Sequence, residues 1–239
     1  MPFVAIPDAS RLLTGGFIAM AIGLALLLVI GVNIAGRRLG ETATARRRWT
    51  IATAMAAGAW LGLTWAAAET GHLSRLDLRP PPFVALPVAL VVLSALMAFT
   101  RFGTRLVRGL PLAALIGVQA FRFPLELLMH RAYGEGVMPY QMSYSGWNFD
   151  ILTGLTALPV AWALHRGIGG RRLATAWNVM GSLLLLNIVV IAMVSTPIVG
   201  MFGADLLNTW VMFPPFVWLP AVMVLMALTG HLLVARALS

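Results

Sequence analysis

The chain contains no cysteine and no lysine, and only 8 of its 239 residues are acidic. Without cysteine there is no disulfide, no thiolate metal site and no thiol redox chemistry. Without lysine, cofactors bound as a Schiff base on an ε-amine, retinal and pyridoxal phosphate among them, are excluded. Catalytic signatures are missing too: no H-E-x-x-H, no G-x-S-x-G and no phosphate-cradling glycine loop occurs. Charged residues make up 10% of the chain, where soluble domains carry about 25%. Hydrocarbon fills the gap, with 60% hydrophobic residues and a mean hydropathy of +0.88. Such a chain belongs in a lipid bilayer. All 17 basic residues are arginine and the net charge is +9. In a soluble protein that balance would point to nucleic acid; here the arginines mark membrane topology, and no nucleic-acid partner is expected.

Apolar runs at about 12–35, 50–69, 83–102, 111–132, 148–166, 177–197 and 211–236 are each near the roughly 20 residues that cross a bilayer core. The expected fold is an all-α bundle of seven transmembrane helices forming one membrane domain over 1–239. Met1 to Ser10 carries no positive leader, so the first run reads as a retained helix and not as a signal peptide. Twelve arginines fall on one side of these spans, in the loops after the first, third and fifth and at the C-terminus. The positive-inside rule then puts the C-terminus in the cytoplasm and the N-terminus outside. Prolines punctuate the helix ends, with Pro214 and Pro215 expected in the first turn or so of the last helix and Asn208 and Trp210 at the outer interface.

Two pairs of segments repeat. Pro81 to Pro87 and Pro214 to Pro220 agree at six of seven positions at an offset of 133, and Ile34 to Leu39 resembles Ile168 to Leu173 at an offset of 134. Near-equal offsets predict parallel three-helix repeats, over about 1–110 and 133–239, joined by the fourth helix. In layout alone this three-plus-one-plus-three plan resembles the SWEET-type sugar transporters, which implies two triple-helix bundles enclosing a substrate path. That family's Pro-Gln dipeptides do not occur here, so no functional residue carries over. The segments Phe121 to Glu126 and Asn148 to Gly154 resemble stretches of bacterial multi-pass membrane proteins without an assigned activity, which implies a bacterial cytoplasmic membrane.

The fourth span holds the main candidate site. On a helix Gln119, Arg122, Glu126 and His130 fall at about 0°, 300°, 340° and 20°, a single polar face. An arginine at the centre of a bilayer helix costs roughly 2.5–3.5 kcal/mol, so Arg122 demands a partner or a wet cavity. Arg122 is expected as a fixed cation, with Glu126 and His130 as a proton relay, in an outward-facing site that binds or transports a small polar solute. The competing account is an Arg122 to Glu126 pair at i,i+4 that only neutralises itself. Asp150 reads either as a helix cap or, if it faces Arg122, as part of the site. Asn187, central on the sixth span, is a further ligand candidate, whereas Asn178 and Ser182 read as helix-to-helix hydrogen bonders.

Other classes stay open. Glu126 and His130 could serve an intramembrane enzyme as acid and base, and a sensor or assembly subunit needs no chemistry at all. No cofactor is expected, but His72 with His130, and His165 with His231, could ligate two haems. Met138 and Met142 flank a loop and could hold copper(I). The partners expected are the lipid bilayer and a small polar solute, and a homo-oligomer is compatible with the sequence.

Overall fold

The computed structural model describes residues 6–239. It is all-helical, with eight helices among the described residues, six of them long and apolar enough to cross a membrane. The chain is a multi-pass membrane protein.

Helix α1 (Arg11–Arg38) starts where the Ser10 side chain accepts from the Leu13 N–H, and α2 (Ala43–Glu69) starts the same way at Thr42 with Ala45. A 3-10 turn at Pro82–Val84 leads into α3 (Ala85–Phe99). One extended residue, Thr100, separates α3 from α4 (Arg101–Gly109), a short basic helix in what reads from sequence as a plain loop. Its Arg105 forks onto the Glu41 carboxylate at 2.7 and 2.8 Å and donates to the Val32 carbonyl, tying α4 to the end of α1. The Arg105 pairing also holds the Glu41 carboxyl below its usual range.

Helix α5 (Leu112–Gly134) tightens into a 3-10 turn at Val118–Phe121 immediately before Arg122. Helix α6 (Ile151–His165) spans only 15 residues, shorter than the 148–166 expected, because Asn148 to Asp150 are spent on turns and Gly167 and Gly169, at φ 77° and 78°, end the helical run. Helix α7 is Gly170–Val194 and α8 is Leu219–Leu238, opening with a π-turn at Leu219–Val224. The last helix therefore begins eight residues after the expected 211. A helix starting at 211 would call on the N–H of Pro215 for the carbonyl four residues back, and Pro215 has none, so Trp210 to Val217 form a 3-10 turn and further hydrogen-bonded turns instead.

Helix α8 lies at the centre, against α3, α4, α5 and α7, while α6 packs along both halves of α5. The core divides into two clusters. One is built on Phe17, Trp210 and Phe216, whose rings meet at 5.1 to 5.7 Å; the other surrounds Val32, Ile116, Trp177 and Val234. Trp210 is 1% exposed and Asn208 is buried, so neither sits at the lipid–water interface as expected; the turns before α8 fold them under the loops. On α5 one cluster gives way to the other between Ile116 and Phe121, and the polar side chains of the interior begin there.

Candidate functional site

Arg122 is the eleventh of the 23 residues of α5 and 1% exposed. A charge so deep in an apolar bundle needs a counter-charge and bonded donors. Its Nε donates to Asp150 Oδ2 at 2.6 Å and Nη2 to Asp150 Oδ1, a two-pronged ion pair across 28 residues of chain. Its Nη1 donates to His231 Nε2 at 2.7 Å. That assigns the proton of a neutral imidazole to Nδ1, which donates to Asn178 Oδ1 at 2.8 Å. Asn178 Nδ2 closes the loop on the His231 carbonyl. Three of the five guanidinium N–H groups of Arg122 are bonded in this way, and both ring nitrogens of His231 are engaged.

The close approach that makes this possible is set by glycine. A Cβ on Gly154 would lie 2.8 Å from the Arg122 carbonyl carbon, so only a bare backbone lets α6 rest on α5 at this level. Asp150, one turn earlier on α6, is carried to the guanidinium by that contact. Pro124 has no N–H to give to the carbonyl one turn before it, which loosens α5 beside the pair. Asp150 keeps its position through its own N–H on Asn148 Oδ1 (3.0 Å) and through the Thr153 hydroxyl (3.3 Å).

Glu126, 1% exposed, is not paired with Arg122; among the described residues the ion pairs of Arg122 and Glu126 reduce to Arg122 with Asp150. The i,i+4 neutralising pair does not form because α6 offers the guanidinium a better-placed carboxylate. Asn148 Nδ2 donates to Glu126 Oε2 at 2.7 Å and to the Met142 carbonyl at 3.0 Å. One asparagine thus links the Glu126 carboxylate to the backbone at Asp150, receiving the Asp150 N–H on its oxygen and supporting Glu126 with its nitrogen.

Arg122, Glu126 and Asp150 share the wall of a cavity of about 120 Å³, closed otherwise by hydrocarbon such as Leu125, Ile188, Ala192 and Met223, and by Asn208. Asn208 Oδ1 is buried and finds no hydrogen-bond partner among the described residues, as is true of Gln141 Oε1 and Trp210 Nε1 nearby in the loops. A buried polar atom left so costs about 1–3 kcal/mol. Beyond Asn208, at the end away from the arginine-rich loops, lies a vestibule of about 1130 Å³ edged by Tyr133, Glu135, Tyr140, Asp205 and Trp210. Asn208 borders the cavity and Trp210 the vestibule, and Thr196 and Pro197, adjacent in the chain, do the same, so two short segments separate the spaces.

The remaining sequence candidates stand elsewhere. Gln119 is buried but lies off this cavity, its Nε2 3.4 Å from the Ala227 carbonyl. His130 is half-buried, stacked on Tyr144 at 4.4 Å, with Nδ1 on the hydroxyls of Ser143 and Ser145. Asn187 donates to the Trp147 carbonyl and ties α7 to a loop. His72 and His165 are exposed, whereas both ring nitrogens of His231 are engaged, so the residues proposed for haem do not pair as ligands. Met138 and Met142 are buried in the apolar core and do not border an open loop. Among the described residues no three His, Asp or Glu side chains are grouped to hold a metal.

Sequence reasoning missed His231 as the second partner of Arg122. The usable signal was Gly181 on the neighbouring helix: a Cβ there would press on the His231 ring, so a gap had been kept for a large side chain. Comparison with protein families, with curated proteins and with solved structures finds no match.

Proposed function

We propose that the protein binds a small solute within the membrane, one with a short apolar body and a single hydrogen-bonding head. The observation that carries this reading is the cavity of about 120 Å³ whose wall is hydrocarbon except for Glu126, the Arg122–Asp150 pair, Thr196 and Asn208. A wholly polar solute would lose its hydration to hydrocarbon there without replacement. An apolar engineered cavity of about 150 Å³ takes benzene, which sets the scale of the occupant at roughly half a dozen heavy atoms. Arg122 is held by Asp150 and His231 and serves as a fixed scaffold. The head is received by Glu126, whose Oε1 carries no hydrogen bond among the described residues, with Asn208 on the same wall. This narrows the small polar solute read from sequence to an amphipathic one.

Transport is the second reading, favoured by one observation: where Asn208 borders the cavity, Thr209 and Trp210 border the vestibule, so the two spaces are separated there by a short segment. Movement of that segment would connect them. Proton linkage, if transport occurs, falls to Glu126, because His130 is held by serines away from the cavity.

The test is a thermal-shift screen of the detergent-purified protein with alcohols, carboxylic acids, amines and alkanes of matched chain length. Members with a head group should raise the unfolding temperature more than the alkane of equal length, and Glu126→Gln should reorder the preference among heads. A screen in which alkanes do as well as their alcohols removes the polar residues from the reading.

A further inference from the structure

A second opening lies on the other side of the bundle. Helix α2 follows α1 closely, but it meets α8 only near its far half, where Trp60 Nε1 donates to the Ala221 carbonyl at 2.8 Å and Trp218 Nε1 to Thr64 Oγ1 at 3.1 Å. Between Trp60 and the start of α2 the helix stands off from α3 and α8, leaving a cleft of about 470 Å³. The α2 wall of the cleft is small, with Ala52, Thr53, Ala56 and Ala57 at helical spacing, and opposite it lie Leu93 and Met97 of α3. No side chain of the described residues fills the cleft, which is open along one side, so in a bilayer whatever fills it comes from outside these helices.

Its length and its mouth identify what fills it. Trp49 and Trp60 bound the cleft, eleven residues apart on one helix, or about 16 Å. That is the depth of one leaflet of a hydrocarbon core about 30 Å thick. Trp49 lies at the end where tryptophan marks a membrane interface, tilted against Phe102 at 6.4 Å and covered by the Arg105 guanidinium at 5.4 Å. Around that mouth the charge has one sign: Arg46, Arg47 and Arg48 open α2, Arg101 opens α4 between the cleft-lining Thr100 and Phe102, and Glu41 alone is acidic. Glu41 is already committed to Arg105, while Arg47, Arg48 and Arg101 are exposed and lie outside the ion pairs of the described residues.

We infer that the cleft between α2 and α3 seats one acyl chain of an anionic phospholipid, with the headgroup held by Arg47, Arg48 and Arg101. The chain enters beside Trp49 and ends against Trp60. The headgroup phosphate and any further negative charge lie among guanidinium donors that match phosphate oxygens in geometry. Basic pockets between transmembrane helices are where anionic headgroups are recognised, and each arginine near the surface adds to the attraction. A zwitterionic lipid has the same chain and fits the same cleft but gains little from the collar, so the site selects by charge.

The test uses the full chain in phosphatidylcholine nanodiscs doped with equal mole fractions of either phosphatidylglycerol or phosphatidylcholine brominated at mid-chain, and reads tryptophan fluorescence. Brominated phosphatidylglycerol should quench more strongly, and the excess should disappear in Trp60→Phe, which removes the deep reporter. Arg47→Gln with Arg48→Gln should weaken the preference for phosphatidylglycerol about tenfold. Ala56→Phe, which fills the cleft without touching the collar or the Trp60 hydrogen bond, should abolish the excess quenching. Equal quenching by the two lipids in the wild type overturns the inference, as does an excess that survives in Ala56→Phe. Absence of quenching by either lipid overturns it as well, and would mean that a second copy of the chain covers the cleft.

Discussion

Arg122 is the residue on which the interior depends. Its charge is tolerable because Asp150 cancels it and because His231 takes a third N–H. Removing one partner of a buried pair leaves the other charge exposed to hydrocarbon, at a cost of about 3–5 kcal/mol, whereas replacing both with apolar residues of similar size is often close to neutral. Asp150→Leu should therefore lower the unfolding temperature sharply, and Arg122→Met with Asp150→Leu should recover most of the loss in the same calorimetric measurement. A double variant as unstable as the single one would mean that the His231 and Asn178 network, rather than the ion pair, sets the penalty. At the loop end the decisive residue is Glu135, which accepts from the Ser10 N–H at 2.9 Å, the Ser10 hydroxyl at 2.7 Å and Arg131 Nε at 2.7 Å. The Ser10 amide, the Ser10 hydroxyl and then Arg131 hold its carboxyl below the ordinary value of 4.5. A depressed folded value means the contact contributes its full stability above the unfolded value of about 4.3 and loses it as the pH falls through the folded one. Amide protection at the start of α1 should drop across that acid window and be flat with pH in Glu135→Gln, which hydrogen-exchange protection factors would read.

At the scale of elements, the junction of α5 and α6 sets the geometry of the cavity. Gly154 lets two backbones touch at Arg122, and the 3-10 turn at Val118–Phe121 sets the direction in which Arg122, Leu125 and Glu126 leave the helix. Gly154→Ala would press a methyl group into the Arg122–Phe123 backbone, and overpacking of that kind costs about 1–3 kcal/mol. Because the strain falls on the site itself, the variant should lose solute stabilisation as well as basal stability; a variant destabilised but still shifted by solute to the wild-type extent would uncouple the junction from the cavity. How much of this could be read from the chain differs by element. The long spans were legible because a bilayer demands about 20 consecutive apolar residues and leaves few other readings. Helix α4 was not, since nine residues between two spans resemble a basic loop, and its helical state depends on Arg105 reaching Glu41. The start of α8 was misplaced because the prolines that open it are apolar and prolong the hydrophobic run while denying it helical hydrogen bonds.

For the molecule as a whole, periodicity put Gln119, Arg122, Glu126 and His130 on one face, and the first three are indeed buried. It could not say which of them meet a common space, because that depends on the partners across the bundle. Asp150 reaches Arg122 through a glycine contact 32 residues away in sequence, and His231 reaches it from the last helix, relations that no local pattern encodes. What emerges is a membrane bundle with a rigid polar scaffold at mid-depth and a small amphipathic chamber beside it. The most direct measurement is equilibrium binding of the solute that stabilises the wild type best, repeated on Ala192→Phe, which fills the chamber from the α7 side and leaves Arg122, Glu126 and Asp150 in place. Saturable binding to the wild type that is lost in Ala192→Phe, with the variant folded and its helices intact, is the result expected. Undiminished binding to the filled variant would contradict the assignment of the chamber as the binding site.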